Sequence, residues 1–204
     1  MHFFYRDRQL FDLLKTKPHV PMVGVGSNDK PCGLYPHCGV LPMQHFSFMV
    51  APFCYISDQR DEIYFTFRAF YTKYFCQLST ISSDPQCIIG LCKLFEDLLQ
   101  MYEPEVCFHM NQLGISPLKT AFHWMMFSFC GTLEVDQLFL LFDRILGFES
   151  LEVLPIMAAG IFVFRANLIL NCQNQEEFDE LFVDMSQIKV MPIIQHFLFA
   201  TGIN

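Results

Sequence analysis

The sequence lacks the features that direct a chain through or into a membrane. Its apolar opening, MHFFY, is interrupted at once by charged residues at positions 6 to 8, so it does not have the form of a signal peptide. The most apolar run, from Val153 to Phe164, falls well short of the roughly 20 residues of a spanning helix and is followed by Arg165. The sequence therefore predicts a cytoplasmic protein with no transmembrane segment.

Basic charge is also scarce. The chain has 13 lysines and arginines against 21 aspartates and glutamates, a net charge of −8, and no basic cluster. Nucleic-acid phosphates would need such a cluster. The nine cysteines are scattered, mostly in apolar stretches, where a reduced thiol behaves as a small hydrophobic group. The sequence argues against a nucleic-acid partner and against a disulfide framework.

No motif for a nucleotide or a metal is complete. Residues 24 to 27 are glycine-rich, but the Lys-Ser/Thr pair of a phosphate-binding loop does not follow them. Cys32, His37, Cys38 and His45 lie close in sequence, yet their spacing is not a standard zinc-ligand spacing. No cofactor or metal is therefore predicted for this chain.

Apolar periodicity of the helical kind is abundant. Hydrophobic residues make up 52% of the 204 residues, including 24 phenylalanines, which suits one domain with an aromatic-rich core. No segment is predicted to form a strand. The fold class predicted is all-α, an irregular packing of roughly eight to ten helices. The predicted helices span 44–56 with a bend at Pro52, 58–79 with Asp58 as the cap, 84–101, 104–114, 117–130, 134–146, 150–170, 175–186 and 190–199.

The first 41 residues follow a different pattern. Residues 2 to 14 are predicted to form one helix, and from Lys15 to Leu41 proline and glycine recur in a segment rich in Ser, Asn and Asp. The predicted organisation is an N-terminal helix with a long Pro/Gly-rich loop at 1–41, followed by a helical domain at 42–204.

The stretch from Pro117 to Leu151 contains the clearest signals for where helices begin and end. Pro117 can open a helix, Gly131 can close it, and Gly147 can close the next helix after Leu146. Between these signals lie Trp124, a Gly-Thr-Leu turn at 131–133 and the pair Phe142-Asp143.

This order resembles the C-terminal half of the TBC domain, the module of Rab GTPase-activating proteins. In that family a tryptophan-bearing helix, a short turn, a Trp-Asp pair and a hydrophobic helix follow one another, and Phe142 here replaces the second tryptophan. The resemblance covers residues 42 to 199, and within the family the chain is most similar in pattern to a divergent member. It implies an irregular multi-helix Rab-GAP fold in which the family's N-terminal portion is either missing or replaced by the first 40 residues.

The resemblance also implies two site residues. The family inserts a glutamine from a Tyr-x-Gln-Gly-Met motif beside the nucleotide, and Gln44 stands at the family's spacing before the Ala-Pro-Phe step at 51–53, although Pro42 and His45 replace the tyrosine and the glycine. A carboxamide there orients the attacking water. Gln44 is thus the predicted glutamine finger.

The second implied residue is an arginine from an Ile-x-x-Asp-x-x-Arg motif, which neutralises charge on the phosphoryl group. No complete copy of this motif occurs in the chain. Arg8 stands near the family's separation from Gln44, with His2 and Tyr5 at the isoleucine and aspartate positions. Arg8 is the predicted arginine finger.

The resemblance implies a regulator that binds a small GTPase of the Rab family, with the nucleotide and Mg²⁺ carried by that partner. The chain would be a GTPase activator rather than an enzyme that turns over its own substrate, and it would reach vesicle membranes peripherally through its partner. Because the arginine motif is missing, the alternative is a non-catalytic GTPase- or protein-binding adaptor module in membrane trafficking.

Overall fold

The computed structural model of the chain describes residues 2–7, 9–15, 23–25, 31–33, 40 and 44–199. These residues divide into two compact units, Met1–Ser82 and Ser83–Asn204. Helices dominate both units, and the all-α class predicted from the sequence is confirmed. Within the described ranges, no helix has both the length and the apolar content needed to cross a bilayer.

The first unit is built from short helices and one small ladder. Its elements are α1 His2–Arg6, α2 Leu10–Leu13, β1 Val23–Val25, β2 Pro31–Gly33, α3 Phe46–Val50, a 3-10 helix Ala51–Tyr55, α4 Arg60–Phe70, a π turn Tyr71–Phe75 and α5 Cys76–Leu78.

Two expectations for the N-terminal segment are corrected. The single helix predicted for residues 2–14 is two short helices, separated near Asp7. The segment predicted to be loop contains β1 and β2, which pair antiparallel with Val23 opposite Gly33. Valine on both sides of Gly24 favours the extended backbone of β1. The high proline and glycine content of the segment as a whole predicts a loop instead.

The bend predicted at Pro52 is present. α3 ends at Val50 and the chain continues as the 3-10 helix, because proline has no N–H to donate to the helical ladder. The cap predicted at Asp58 is wrong. α4 begins at Arg60, and the Ser57 hydroxyl organises its start, accepting from the Gln59 N–H at 3.0 Å.

An aromatic cluster forms the core of the first unit. Phe4 lies 5.5 Å from Phe46 and 5.0 Å from Tyr71, and Phe53 lies 5.4 Å from Phe67, measured between ring centroids. All five rings are buried. Since such pairs contribute about 0.5–1.5 kcal/mol each beyond their burial, this cluster fixes α1, α3 and α4 relative to one another.

The second unit is a helical assembly around one apolar helix. Its elements are α6 Ile88–Tyr102, α7 Pro104–Gln112, α8 Pro117–Met126, α9 Val135–Phe148, α10 Val153–Phe164, α11 Ala166–Ile169, α12 Gln175–Glu180 and α13 Val190–Phe199. α10 packs against α6, α8, α9 and α13. At its centre the fully buried Phe162 contacts Phe95, Trp124 and Phe182, with centroids 5.3 to 5.9 Å apart.

The predicted helix ends in this unit are partly wrong. α8 ends at Met126 rather than near Cys130, because Ser128 and Phe129 already adopt left-handed backbone (φ +49° and +61°) before Gly131 (φ +79°). Gly147 lies inside α9, and Glu149 (φ +51°) takes the left-handed position after it. Burial of the Phe129 ring offsets the roughly 1–2 kcal/mol cost of this backbone.

Candidate functional site

Gln44 is exposed at the entrance to α3. It lies in a turn, and its neighbour His45 occupies the N-cap position with left-handed backbone, φ +63°. The His45 ring stacks on Phe48 at 5.2 Å with an interplanar angle of 21°. The family motif has glycine at position 45, and this backbone explains that choice, since glycine adopts positive φ without strain and histidine does so at a small cost. The replacement therefore keeps the turn that presents Gln44.

The turn is fixed by the residue that follows it. Phe46 is 2% exposed, and its ring contacts Phe67 and Tyr71 at 5.8 and 5.6 Å between centroids. Phe4 and Tyr5 of α1 also contact Phe46, at 5.5 and 5.7 Å. The backbone next to Gln44 is thus held by a rigid core, while its carboxamide faces solvent. A carboxamide both donates and accepts hydrogen bonds but does not transfer protons, so it suits orienting a water molecule.

The N-terminal segment is tied to α4 by a polar network centred on Asp7. The Arg68 Nε lies 3.2 Å from Asp7 Oδ2, and the Tyr64 hydroxyl donates to the same oxygen at 2.6 Å. Arg68 Nη2 also reaches Gln9 Oε1 at 3.5 Å. Asp7 and Arg68 each expose only 13% of their side chains, so this pair is shielded more than a typical surface ion pair.

Arg8, the predicted arginine finger, lies outside the described residues. Its neighbours on both sides, Asp7 and Gln9, contact α4 through Arg68. The two segments that carry Arg8 and Gln44 are thus both fixed to the same first unit, one through Asp7 and the other through Phe46.

Sequence analysis missed a second cation, Lys15. If the Ile-x-x-Asp-x-x-Arg motif is aligned by its aspartate, Asp12 and Lys15 occupy the last two positions. Lysine replaces the arginine and Gln9 replaces the isoleucine, so only the Asp-x-x-Lys spacing indicates this match.

The structure fixes the backbone of Lys15 firmly. Its N–H donates to the Thr72 carbonyl oxygen at 2.9 Å, and Thr72 lies in the π turn, a geometry often found at functional sites. The neighbouring Leu14 is buried and the Lys15 side chain is exposed. Lys15 is therefore presented to solvent from an anchored backbone.

An exposed apolar surface lies on the same unit. A cleft of about 400 Å³ between the 3-10 helix and α4 is lined by Ile56 and Phe65, which are 54% and 59% exposed, and by Asp61 and Glu62. Tyr55 beside it is 72% exposed. Adjacent exposed apolar groups of this kind mark interaction surfaces. In the described part of the chain no three His, Cys, Asp or Glu side chains are placed to hold a metal ion.

Comparison with known proteins defines the class. The family model of the Rab-GTPase-TBC domain matches residues 42–170, which is more than half of the chain. The chain therefore belongs to the Rab-GTPase-TBC domain family. Gln44 lies inside the matched range, whereas Arg8 and Lys15 precede it.

Among individual proteins, human TBC1 domain family member 19 is 44% identical over 167 residues, which covers 82% of this chain and 32% of that protein. The TBC domain-containing protein kinase-like protein of mouse is 24% identical over 155 residues, covering 76% of this chain and 17% of its own length. The chain thus spans about a third of the human family member and less of the mouse protein. No solved structure matches.

Proposed function

We propose that this chain binds a small GTPase of the Rab family through the surface of the first unit that presents Gln44, and that it stimulates GTP hydrolysis there. The partner supplies the nucleotide and Mg²⁺. The observation that supports this proposal is the exposed Gln44 on a turn held by the buried Phe46, within the segment matched by the family. In this role Gln44 orients the attacking water.

A positive charge beside the phosphoryl group is the second requirement. Arg8 is our first candidate, because a guanidinium can meet two phosphoryl oxygens at once. Lys15 is the other, as an exposed ammonium on an anchored backbone. An ammonium acts as a point charge without the planar fork of arginine, so we expect weaker stimulation if Lys15 fills this role.

The domain organisation is part of this proposal. We propose that residues 1–41 complete the GTPase-facing surface of the helical domain that begins at residue 42. Phe4 and Asp7 support this view, because both contact residues beyond position 42: Phe4 contacts Phe46, and Asp7 pairs with Arg68.

The test is single-turnover GTP hydrolysis by a panel of Rab GTPases with the chain added. We expect Gln44→Ala to abolish most of the stimulation. Arg8→Ala or Lys15→Ala should each reduce the stimulation more than a substitution elsewhere on the surface does. Gln100→Ala is the matched control, since Gln100 is an exposed glutamine on α6 of the second unit. Stimulation that survives Gln44→Ala would contradict the glutamine role.

The adaptor alternative has its own support. The complete arginine motif is missing, and an arginine finger supplies about 10³ to 10⁵ in rate. The apolar cleft with Ile56 and Phe65 provides a binding surface without catalysis. Binding of a GTP-loaded Rab without faster hydrolysis would favour this interpretation.

For both functions we propose a cytoplasmic role in membrane trafficking, in which the partner recruits the chain to vesicles. Sedimentation of the chain with vesicles that carry the GTP-loaded GTPase tests this recruitment.

A further inference from the structure

A second cleft lies between α10 and α13 in the second unit. Its volume is about 430 Å³, within the range of small-molecule sites. Val163 and Phe164 of α10 form one wall, and Pro192, Ile193 and Phe197 of α13 form the other. The cleft is therefore lined mainly by apolar side chains.

The walls of this cleft are preset by close packing. At Gly160 an added Cβ atom would clash with the Ile193 side chain, so α10 and α13 are in close contact at this point. The Phe197 ring is held by Tyr102 of α6, with centroids 4.5 Å apart. A ligand would enter a shaped space and would not have to separate the helices.

The polar side chains that line the cleft are Lys189, His196 and Gln187. The Lys189 side chain is about half exposed, and its Nζ atom lies 3.9 Å from Glu134 Oε2 and 3.4 Å from the Ser186 carbonyl oxygen. The distance to Glu134 is long for an ion pair and both side chains are about half exposed, so the ammonium can exchange this partner for a ligand carboxylate.

An apolar cleft with an ammonium among its lining groups complements an alkyl chain that ends in a carboxylate. We propose that the cleft between α10 and α13 binds a monomeric long-chain carboxylate, that is, a free fatty acid. The alkyl chain lies between Val163 and Ile193, and the carboxylate pairs with Lys189. This inference rests on the second unit alone and does not depend on GTPase binding.

The test is isothermal titration calorimetry of the full chain with octanoate, decanoate and dodecanoate, each below its micelle concentration. Because each buried methylene contributes about 0.8 kcal/mol, affinity should rise about fourfold per added methylene until the cleft is full. Val163→Trp, which fills the cleft, should abolish binding while leaving the circular dichroism spectrum unchanged.

A matched pair of ligands tests the charge. Lys189→Met should weaken dodecanoate binding about tenfold or more and leave 1-dodecanol unchanged, since the alcohol has no charge to pair. Lys119→Met, an exposed lysine of α8, is the control and should change neither.

Several outcomes would overturn the proposal. They are the absence of dodecanoate binding to the wild-type chain, dodecanoate binding that persists in Val163→Trp, and an equal loss of dodecanoate and 1-dodecanol affinity in Lys189→Met. Binding only to phosphatidylcholine–phosphatidylserine vesicles, with none to the monomeric acid, would assign the cleft to a lipid surface. A dimer in size-exclusion chromatography that Val163→Trp dissociates, without fatty-acid binding, would assign it to a second copy of the chain.

Discussion

The two units of this protein are stabilised in different ways. The second is organised around α10, where nine of twelve residues are buried. The described residues of the first unit contain no comparable helix: a 3-10 helix and a π turn interrupt the helical segments, and the core is a cluster of aromatic rings. Gln44, the proposed glutamine finger, lies in this irregular unit. We infer that the second unit serves mainly as scaffold and that the irregular backbone of the first presents exposed groups to a partner.

The largest expected effect is in the scaffold. Phe162→Ala removes a fully buried ring that packs between Phe95, Trp124 and Phe182, and should lower the free energy of unfolding by about 3–5 kcal/mol. Urea unfolding followed by fluorescence measures it, because the single tryptophan, Trp124, lies in this unit. Phe164→Ala, 62% exposed and two residues away, is the control and should change stability little.

The next effect tests the first unit. Asp7→Ala removes the partner of both Arg68 and Tyr64 and leaves a largely buried guanidinium without its carboxylate, so we expect a loss of about 1–3 kcal/mol. Far-ultraviolet circular dichroism in urea should show the loss. Asp12→Ala, an exposed aspartate of α2, is the control. An equal shift of the Trp124 fluorescence transition would show that the two units unfold together and would end the comparison drawn above.

The sequence predicts only some of the helix ends in the second unit. The boundaries of α7, α9 and α13 lie within two residues of those expected, because Pro104 opens α7 and apolar periodicity marks the other two. The single helix predicted at 150–170 is instead α10 and α11, divided at Arg165, and the helix predicted from residue 84 begins at Ile88. α8 ends early and Gly147 is no cap, because Phe129 and Glu149 adopt left-handed backbone that no sequence rule assigns to such residues.

The candidate site is also only partly predictable from the sequence. Gln44 could be placed by its distance from Pro52, but the left-handed backbone of His45 and the hydrogen bond between Lys15 and Thr72 depend on tertiary contacts. The strands β1 and β2 were missed because three-residue strands have no periodicity to detect.

A smaller effect concerns the turn that presents Gln44. His45→Gly should be neutral or stabilise the chain by up to about 1 kcal/mol, because glycine adopts φ +63° without strain, whereas His45→Val should destabilise it by about 1–2 kcal/mol. Thermal unfolding of the two variants measures the difference. Single-turnover hydrolysis should follow the same order. Equal stability of the glycine and valine variants would show that the backbone at position 45 relaxes freely and that the first unit is less fixed than we propose.

The smallest effect is a pH dependence in the scaffold. The Gln137 amide donates to Asp136 Oδ2 at 3.0 Å, and its carbonyl oxygen accepts the Val190 N–H at the start of α13. The hydrogen bond from Gln137, helped by Lys189, lowers the pKa of Asp136 in the folded chain.

A lowered folded pKa gives a stabilisation that is complete above the unfolded value, about 3.9, and is lost as the pH falls through the folded pKa. We therefore expect the wild-type chain to exceed Asp136→Asn in unfolding midpoint near neutral pH and to lose this advantage in acid. Asp143→Asn, exposed on the same helix, serves as the control. A difference between wild type and Asp136→Asn that grows as the pH falls would show that the carboxylate opposes the folded state.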